Sequence, residues 1–189
     1  LEAALGFVSS FTFAAALGYL LGKVSLAEKV ISPYLVAAQT VPLVALAPLF
    51  AVWFGYGLTS KVVITFVMVF FPMLVNNIVG IKAVPMDKRE LMRSYSASPW
   101  QVFVWLELPS AIPILLAGVK IGITMSMAGA LVGEYVGSFE GLAFMLVHAK
   151  QTFDFPQIFV AIFVLMLVDV ALFTGVSTLE NLFLANRRR

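Results

Sequence analysis

The chain has 189 residues, of which 61% are hydrophobic and 12% are charged. Soluble domains carry about 25% charged residues, so this composition excludes a soluble globular enzyme and predicts a membrane protein surrounded by lipid. The absence of cysteine excludes a disulfide framework, a thiolate metal site and a cysteine nucleophile. The formal net charge of +2 is too small to indicate nucleic-acid binding.

Long apolar stretches predict five transmembrane helices. A helix needs about 20 residues to cross the hydrocarbon core. The stretches that satisfy this requirement are 3–22, 36–54, 62–81, 108–133 and 155–179. A short interfacial segment at Ser32-Pro33 is expected to precede the second helix, and a turn at Gly55-Tyr56-Gly57 is expected to follow it. Continuous apolar runs favour helices over strands. The sequence therefore predicts an all-α, polytopic membrane helical bundle that forms a single domain over 1–189.

The distribution of basic residues predicts the orientation of these helices, because cytoplasmic loops carry the excess of Lys and Arg. Alternating the helices across the membrane places only Lys61 and Lys150 on one side. The basic residues on the other side are Lys23, Lys29, Lys82, Lys88, Arg89, Arg93, Arg187, Arg188 and Arg189. The loop at 82–108 and the carboxyl terminus are therefore expected to be cytoplasmic, with 186–189 as a topology anchor, and 134–157 is expected to face outward.

The longest polar stretch, at 82–109, predicts two short surface helices. Each begins at a capping pair, in which Asp or Ser is followed three residues later by Glu or Gln. The pairs are Asp87 with Glu90, after Pro85, and Ser98 with Gln101, with Pro99 at the first helical position. A simple connector needs no capped amphipathic helices. The pattern favours docking of a cytoplasmic partner, and the alternative is a helix pair that packs on lipid headgroups.

This loop also matches the motif of a known family. The motif runs E-A-A, three residues, G, nine residues, I-x-L-P. Its register is met by Glu90, Ser96, Leu106, Leu108 and Pro109 without a gap. Leu91 and Met92 replace the two alanines, and Ser96 replaces the glycine. If that glycine requires a positive φ angle, Ser96 is strained there.

Further matches extend over nearly the whole chain. They lie in the family's order at 39–42, 47–49, 53–61, 70–80 and 133–142. The chain thus resembles the permease subunits of bacterial binding-protein-dependent ABC importers, in the branch that serves sulfonates, nitrate, taurine, thiamine precursors and riboflavin. The resemblance implies the type I importer permease fold in the bacterial inner membrane. It also implies one further helix before Leu1, because the family's permeases carry one helix more than these five.

The resemblance further implies a set of partners. Two permease subunits pair, here as an expected homodimer, two cytoplasmic ATPases bind beneath them, and an extracytoplasmic solute-binding protein delivers the cargo. The sequence contains no G-x-x-x-x-G-K-[ST] loop that would cradle phosphates. No cofactor is therefore expected in this chain, and ATP and Mg²⁺ are expected in the partner ATPase. The chain is interpreted as a transport subunit and not as an enzyme.

By the same resemblance, the segment from Glu90 to Ala97, within a coupling loop at 85–108, is the coupling helix that contacts the ATPase. Glu90 and Arg93 are expected to make polar contacts. Leu91, Met92 and Tyr95 are expected to form the apolar seat. Ser96, Ala97, Leu108 and Pro109 complete the coupling set.

Several residues in the apolar stretches are candidates for the translocation path. They are Pro42, Pro48, Pro72, Asn76, Asn77 and Glu134. Proline removes a backbone hydrogen bond and can kink a helix, so the three prolines either shape a cavity at the dimer axis or make simple packing kinks. The two asparagines either line the path or form interhelical hydrogen bonds. Glu134 either lines an outer gate or is solvated.

Lys120 and Asp169 are charges within predicted spans, where charge is costly. Their similar depths predict an intramembrane ion pair, and the alternative is a substrate-binding charge. His148 is the only histidine, so neither a metal site nor a histidine-based triad is expected.

Two other classes of membrane protein remain as alternatives. An ion-coupled secondary transporter or channel would work without an ATPase, but such transporters usually show two related halves and none is visible here. A membrane enzyme would need convergent nucleophile and base residues, which the helices do not supply. The cargo stays open between sulfonates, nitrate and heteroaromatic vitamins or their precursors.

Overall fold

The computed structural model describes residues 1–138 and 140–185, and the regular elements within these ranges are helical. In chain order they are α1 (Glu2–Lys23), α2 (Ser25–Thr40), α3 (Leu43–Phe54), α4 (Leu58–Lys82), α5 (Met86–Ser94), α6 (Pro99–Val102), a π-helical segment (Phe103–Glu107), α7 (Leu108–Gly137), α8 (Leu142–Gln151) and α9 (Phe155–Ala185). The predicted anchor at 186–189 lies outside the described residues.

Four helical stretches are long and apolar enough to cross a membrane: Glu2–Lys23, Leu58–Lys82, Pro99–Gly137 and Phe155–Thr178. They correspond to four of the five predicted spans. The fifth, predicted as one helix at 36–54, is broken, because Lys29–Thr40 and Leu43–Phe54 meet at an angle of 89°. The two pieces form at most one bent span.

The position of this break corrects the sequence prediction. The break was expected near Ser32-Pro33, yet Pro33 lies inside α2. The helix ends instead at Thr40. Val41, which follows it, is extended with a ψ angle of 126°, and Pro42 precedes α3. A residue before proline is pushed out of the α region, and the proline has no N–H to continue the ladder. Gly55, at φ 81°, ends α3 in the predicted turn.

The second predicted surface helix is also wrong as a separate element. α6, the π segment and α7 form one continuous helical stretch from Pro99 to Gly137. The N–H of Leu108 bonds to the carbonyl of Phe103, five residues back. This change of register directly precedes Pro109, which has no N–H to donate. The surface portion therefore begins a span and does not lie apart from it.

α4 lies at the centre of the bundle and packs along its length against α1 and α7. Both neighbours present glycine to it. A Cβ added at Gly18 of α1 would lie 2.5 Å from the Cβ of Asn77, and one at Gly129 of α7 would lie 2.7 Å from the Cα of Thr65. In a membrane the hydrophobic effect does not drive helices together, and small residues instead let their backbones approach closely and pack. The three helices therefore form a tightly packed block.

The buried core lies at the same interface. Its members are Ala14, Leu21, Val69, Met73, Leu74 and Ile78, from α1 and α4. α9 instead exposes most of its large apolar side chains, including Phe159 and Phe163. A helix that exposes this many apolar side chains is expected to face the hydrocarbon core of the bilayer.

Candidate coupling and transport sites

α5 is the short polar helix that contains the first half of the family motif. It begins after Pro85 and shows no side-chain cap. The predicted Asp87 and Glu90 capping pair is therefore wrong, because Pro85 occupies the N-cap position. Asp87 instead lies in the first turn, where a negative charge interacts favourably with the helix dipole.

The backbone at the end of α5 gives a reason for a glycine at the motif position that Ser96 occupies here. The N–H of Ala97 bonds to the carbonyl of Met92 at 3.0 Å, and the N–H of Ser96 bonds to that of Arg93 at 2.9 Å. This pair of bonds is a Schellman motif, which places the residue after the C-cap in the left-handed region. Ser96 has a φ angle of 53° there. The positive φ angle on which the prediction for Ser96 depended is confirmed, and a side chain at such an angle is expected to cost about 1–2 kcal/mol.

The helix is shorter than the predicted coupling helix. α5 ends at Ser94, so Tyr95, Ser96 and Ala97 form the turn that follows it. The next residue, Ser98, begins α6 with the predicted capping box. Its Oγ accepts from the N–H of Gln101 at 3.3 Å, and its own N–H donates to Gln101 Oε1 at 2.8 Å. This prediction is confirmed.

Most of the predicted coupling residues point away from the bundle. Leu91 is 56% exposed and Tyr95 is 78% exposed. Glu90, Arg93, Ser96 and Leu108 are exposed as well, whereas Met92, Ala97 and Pro109 are partly buried. The surface of α5 and its turn thus offers three large apolar side chains, those of Met86, Leu91 and Tyr95, beside charged ones.

The opposite side of α5 joins a buried charge that the sequence reasoning missed. Glu107 is 1% exposed, and its carboxylate lies 3.2 Å from Lys23 Nζ and 3.5 Å from Arg89 Nη1. Tyr19 OH donates to Glu107 Oε2 at 3.3 Å, and Lys23 Nζ lies 4.7 Å from the centre of the Tyr19 ring. Arg89 Nη2 donates to the carbonyl of Ile81 at 2.9 Å. We call Tyr19, Lys23, Arg89 and Glu107 the Glu107 cluster.

One sequence signal could have found this cluster. Glu107 is the only charged residue between Arg93 and Lys120. A lone charge at the start of a span calls for a partner, because an unpaired buried charge is costly. Its partners lie on distant parts of the chain, and only the fold brings them together.

The candidate path prolines do not share one site. Pro48, inside α3, lines a cavity of about 570 Å³ together with Val44, Leu131 and Tyr135. The same cavity is bounded by α8 and α9, and Lys150 is the charged residue in its lining. Pro42 lies at the break between α2 and α3, and Pro72 lies inside α4.

The two candidate asparagines are placed differently. Asn76 Nδ2 donates to the carbonyl of Pro72 at 2.9 Å within its own helix. Asn77 is buried, and its Nδ2 has no hydrogen-bond partner among the described residues. It lines a cavity of about 290 Å³ with Tyr19, Phe103 and Leu115. Asn77 therefore has a buried amide nitrogen without a partner among the described residues, and its place on a translocation path stays a prediction.

Glu134 takes part in polar contacts at the predicted outer end. Its Oε2 accepts from the N–H of Ala143 at 2.9 Å, at the start of α8. Nearby, Lys61 Nζ donates to Ser138 Oγ at 2.8 Å and lies 3.7 Å from Glu2 Oε2. A carboxylate at a helix start satisfies an otherwise unpaired N–H. This contact gives Glu134 a structural role, and its role at a gate stays a prediction.

Lys120 and Asp169 lie on helices that pack against each other, α7 and α9. Lys120 Nζ is 5.5 Å from the centre of the Phe173 ring, one turn along α9 from Asp169. Asp169 Oδ1 is buried without a hydrogen-bond partner among the described residues, beside Thr124 and Met127. The two charges are thus in one region of the bundle, and the ion pair stays a prediction.

Comparison with known proteins identifies the family. Residues 12–188 match the family described as the inner membrane component of binding-protein-dependent transport systems. The chain belongs to this family. As a permease of this family it is a multi-pass inner-membrane protein with the type I importer permease fold. The expected fold and family are confirmed.

Individual relatives support this assignment to the permease family. The chain is 39% identical over 162 residues to the formylaminopyrimidine transport permease protein ThiX of Halalkalibacterium halodurans, covering 86% of this chain and 65% of ThiX. It is 39% identical over 155 residues to the riboflavin transport system permease protein RibX of Chloroflexus aurantiacus, covering 82% of this chain and 58% of RibX. It is 26% identical over 177 residues to the taurine transport system permease protein TauC of Escherichia coli, covering 94% of this chain and 64% of TauC. The chain thus spans less than two thirds of the length of each of these relatives.

Proposed function

We propose that the chain is the transmembrane permease subunit of an ABC importer and forms a translocation path for a small solute while partner subunits hydrolyse ATP. The observation that carries the proposal is the exposed surface of α5 and its turn. Met86 and Leu91 on α5 and Tyr95 in its turn are exposed, and most of the other exposed side chains of α5 are charged. Exposed apolar side chains that are surrounded by polar ones are typical of protein–protein or membrane contacts, and the proposal assigns this surface to a protein partner. The partner is a cytoplasmic ATPase.

The mechanism uses α5 as a lever. Its first turn is fastened to the bundle through Arg89, and its end is closed by the Schellman turn at Ser96. Closure of the ATPase pair on ATP and Mg²⁺ moves α5, and the attached helices tilt between inward-open and outward-open states. ATP can bias this equilibrium only if the ATPase contacts α5 differently in the two states.

The remaining partners follow from the family. A binding-protein-dependent system implies an extracytoplasmic solute-binding protein, which delivers the cargo on the side of Glu134 and Ser138. The exposed apolar face of α9 suits lipid and a second membrane subunit. We assign that subunit to a second copy of this chain, so the working unit is a homodimer. The loop at 82–108 and the carboxyl terminus are cytoplasmic in this arrangement.

The cargo in this proposal is a heteroaromatic vitamin or vitamin precursor. The two relatives at 39% identity transport a formylaminopyrimidine and riboflavin, while the taurine permease is 26% identical. The cavity beside Pro48 has a volume of about 570 Å³, and Tyr135 is one of its lining residues. Ligand pockets of about 300–1,000 Å³ hold small molecules. An aromatic wall residue suits a planar ring.

The deciding experiment is purification of the full-length protein from native membranes in mild detergent, followed by mass spectrometry of the proteins that co-purify. We expect an ABC ATPase with the unmodified protein and its loss from the double variant Glu90→Ala and Arg93→Ala. Glu140→Ala changes an exposed charge in the loop before α8 and serves as the matched control. It should retain the ATPase.

Two outcomes would contradict the proposal. If the α5 double variant still binds the ATPase, α5 does not form the contact with the ATPase. A protein that purifies alone and drives uptake from an ion gradient would be a secondary transporter. The cargo class is tested in proteoliposomes that contain the cognate binding protein, where a formylaminopyrimidine or riboflavin should accumulate in preference to taurine.

A further inference from the structure

Glu107 lies where four parts of the structure meet. It ends the π segment and directly precedes α7, and its carboxylate contacts Tyr19 and Lys23 at the end of α1. Arg89 brings the first turn of α5 to the same carboxylate. The carboxylate is almost fully buried, and burying a carboxylate is costly unless opposite charges and hydrogen bonds compensate it. Here it has two cations and a phenol.

Arg89 adds α4 to this junction. Its guanidinium contacts Glu107 through Nη1 and donates to the carbonyl of Ile81 through Nη2. Ile81 lies in the last turn of α4, where carbonyls lack partners within the helix and attract positive charge. A single side chain of α5 therefore contacts the cytoplasmic ends of two elements. The other charged side chains of α5 that flank it, Lys88 and Glu90, are exposed.

Three of the elements that meet near Glu107, namely α1, α4 and α7, are expected to move together as one rigid body. α1, α4 and α7 pack through glycine contacts, so their backbones approach too closely to slide independently. α5 lies outside this block and is separated from α4 by a three-residue connection, 83–85. A force applied to α5 reaches the block through the backbone connections and through Arg89 and Glu107.

We propose that Glu107 is a positioning residue for energy coupling: paired with Arg89, it fastens α5 to the cytoplasmic ends of α1 and α7. The inference rests on the proposed function, since it assumes that the ATPase acts on α5. Glu107 itself contacts neither the ATPase nor the cargo. Its negative charge holds the lever at a fixed angle, so that movement of α5 tilts the spans and does not bend the connections.

The test uses full-length protein reconstituted with its ATPase and binding protein, and it measures the number of solute molecules transported per ATP hydrolysed. Glu107→Gln keeps the shape of the side chain and removes its charge. We expect the ATPase to remain bound and to hydrolyse ATP, while transport per ATP falls at least tenfold. Glu140→Gln makes the same change at an exposed site and should leave the ratio unchanged.

Arg89→Gln keeps the test decisive if Glu107→Gln does not fold. It breaks the link from the α5 side and leaves Glu107 paired with Lys23 and Tyr19. It should lower transport per ATP to the same extent, and the double variant should be no worse than either single one. Glu107→Asp, which restores the charge, should recover part of the ratio.

The outcomes separate this inference from the proposed function. A ratio that stays at the unmodified value in folded Arg89→Gln or Glu107→Gln complexes overturns the inference, because a merely structural role changes the amount of folded complex and not the ratio. A double variant at Glu90 and Arg93 that still binds the ATPase overturns the proposed function instead. Loss of ATPase binding in Arg89→Gln would place Arg89 in the contact surface and would also overturn the inference.

Discussion

Replacing Gly129 by alanine tests the close approach between α4 and α7. The new Cβ would lie 2.7 Å from the Cα of Thr65 and 3.2 Å from its Oγ1. A backbone atom cannot rotate away as a side chain can, so α4 and α7 must separate or tilt. Gly175, on α9, offers a matched control, because a Cβ there meets no atom within 4 Å in the described part of the chain.

The two substitutions should change stability in opposite directions. Alanine stabilises a helix interior by about 0.5–1 kcal/mol relative to glycine, and Gly175→Ala should gain this amount. Overpacking costs about 1–3 kcal/mol, so Gly129→Ala should lose about 0.5–2 kcal/mol after the same helix gain is subtracted. The two variants should therefore differ by about 1–3 kcal/mol.

Stability can be measured by denaturant unfolding of the purified protein in one mild detergent, followed by the fluorescence of its three tryptophans. Equal stability of the two variants, or greater stability of Gly129→Ala, would refute the close contact between α4 and α7. It would also remove the argument that α1, α4 and α7 move as one block.

Four further predictions follow from local features. Ser96→Gly should relieve about 1–2 kcal/mol of backbone strain, seen as slower amide exchange over 92–97, and unchanged exchange would contradict the strain. Ser98→Ala should lose about 1 kcal/mol of cap stabilisation, seen as faster exchange in the first turn of α6 and not in α5. Exchanging the charges of Lys120 and Asp169 should recover more folded protein than either single neutralisation, and no recovery would count against their pairing. Because the chain has no cysteine, single cysteines at Ser98 and Glu140 can be labelled selectively, and labelling of both from the same side would overturn the orientation.

The spans were predictable because lipid imposes a simple requirement on sequence. A helix without water contacts must be apolar for about 20 residues, and four of the five predicted stretches meet helices of that length. The bent span was not predictable, since Pro33 and Pro42 both lie in apolar surroundings. One stays inside α2 and the other starts α3. Neighbouring helices decide which proline breaks a membrane helix.

In the loop at 85–108 as well, features set by neighbouring residues could be predicted, and features set by residues distant in the chain could not. The capping box at Ser98 depends on residues three apart and was predicted correctly. The capping pair at Asp87 failed because Pro85 took the N-cap position. Glu107 was missed altogether, because Tyr19 lies 88 residues away in the chain and reaches it only in the fold.

The contacts of Thr65 limit which substitutions its neighbours can accept during evolution. It is fully buried, and a Cβ at Gly6 of α1 or at Gly129 of α7 would collide with it from opposite neighbours. A larger residue at 65 cannot be accommodated by a change in one helix alone. A larger residue at 6 needs a smaller one at 65, because it would meet the side chain of Thr65, whereas a larger residue at 129 would meet the Cα of Thr65, which every residue keeps. Positions 6 and 65 should therefore covary among relatives while 129 stays glycine, and the intermediates between two compatible pairs should fold poorly. Such a junction restricts the order in which substitutions can accumulate in this protein's history.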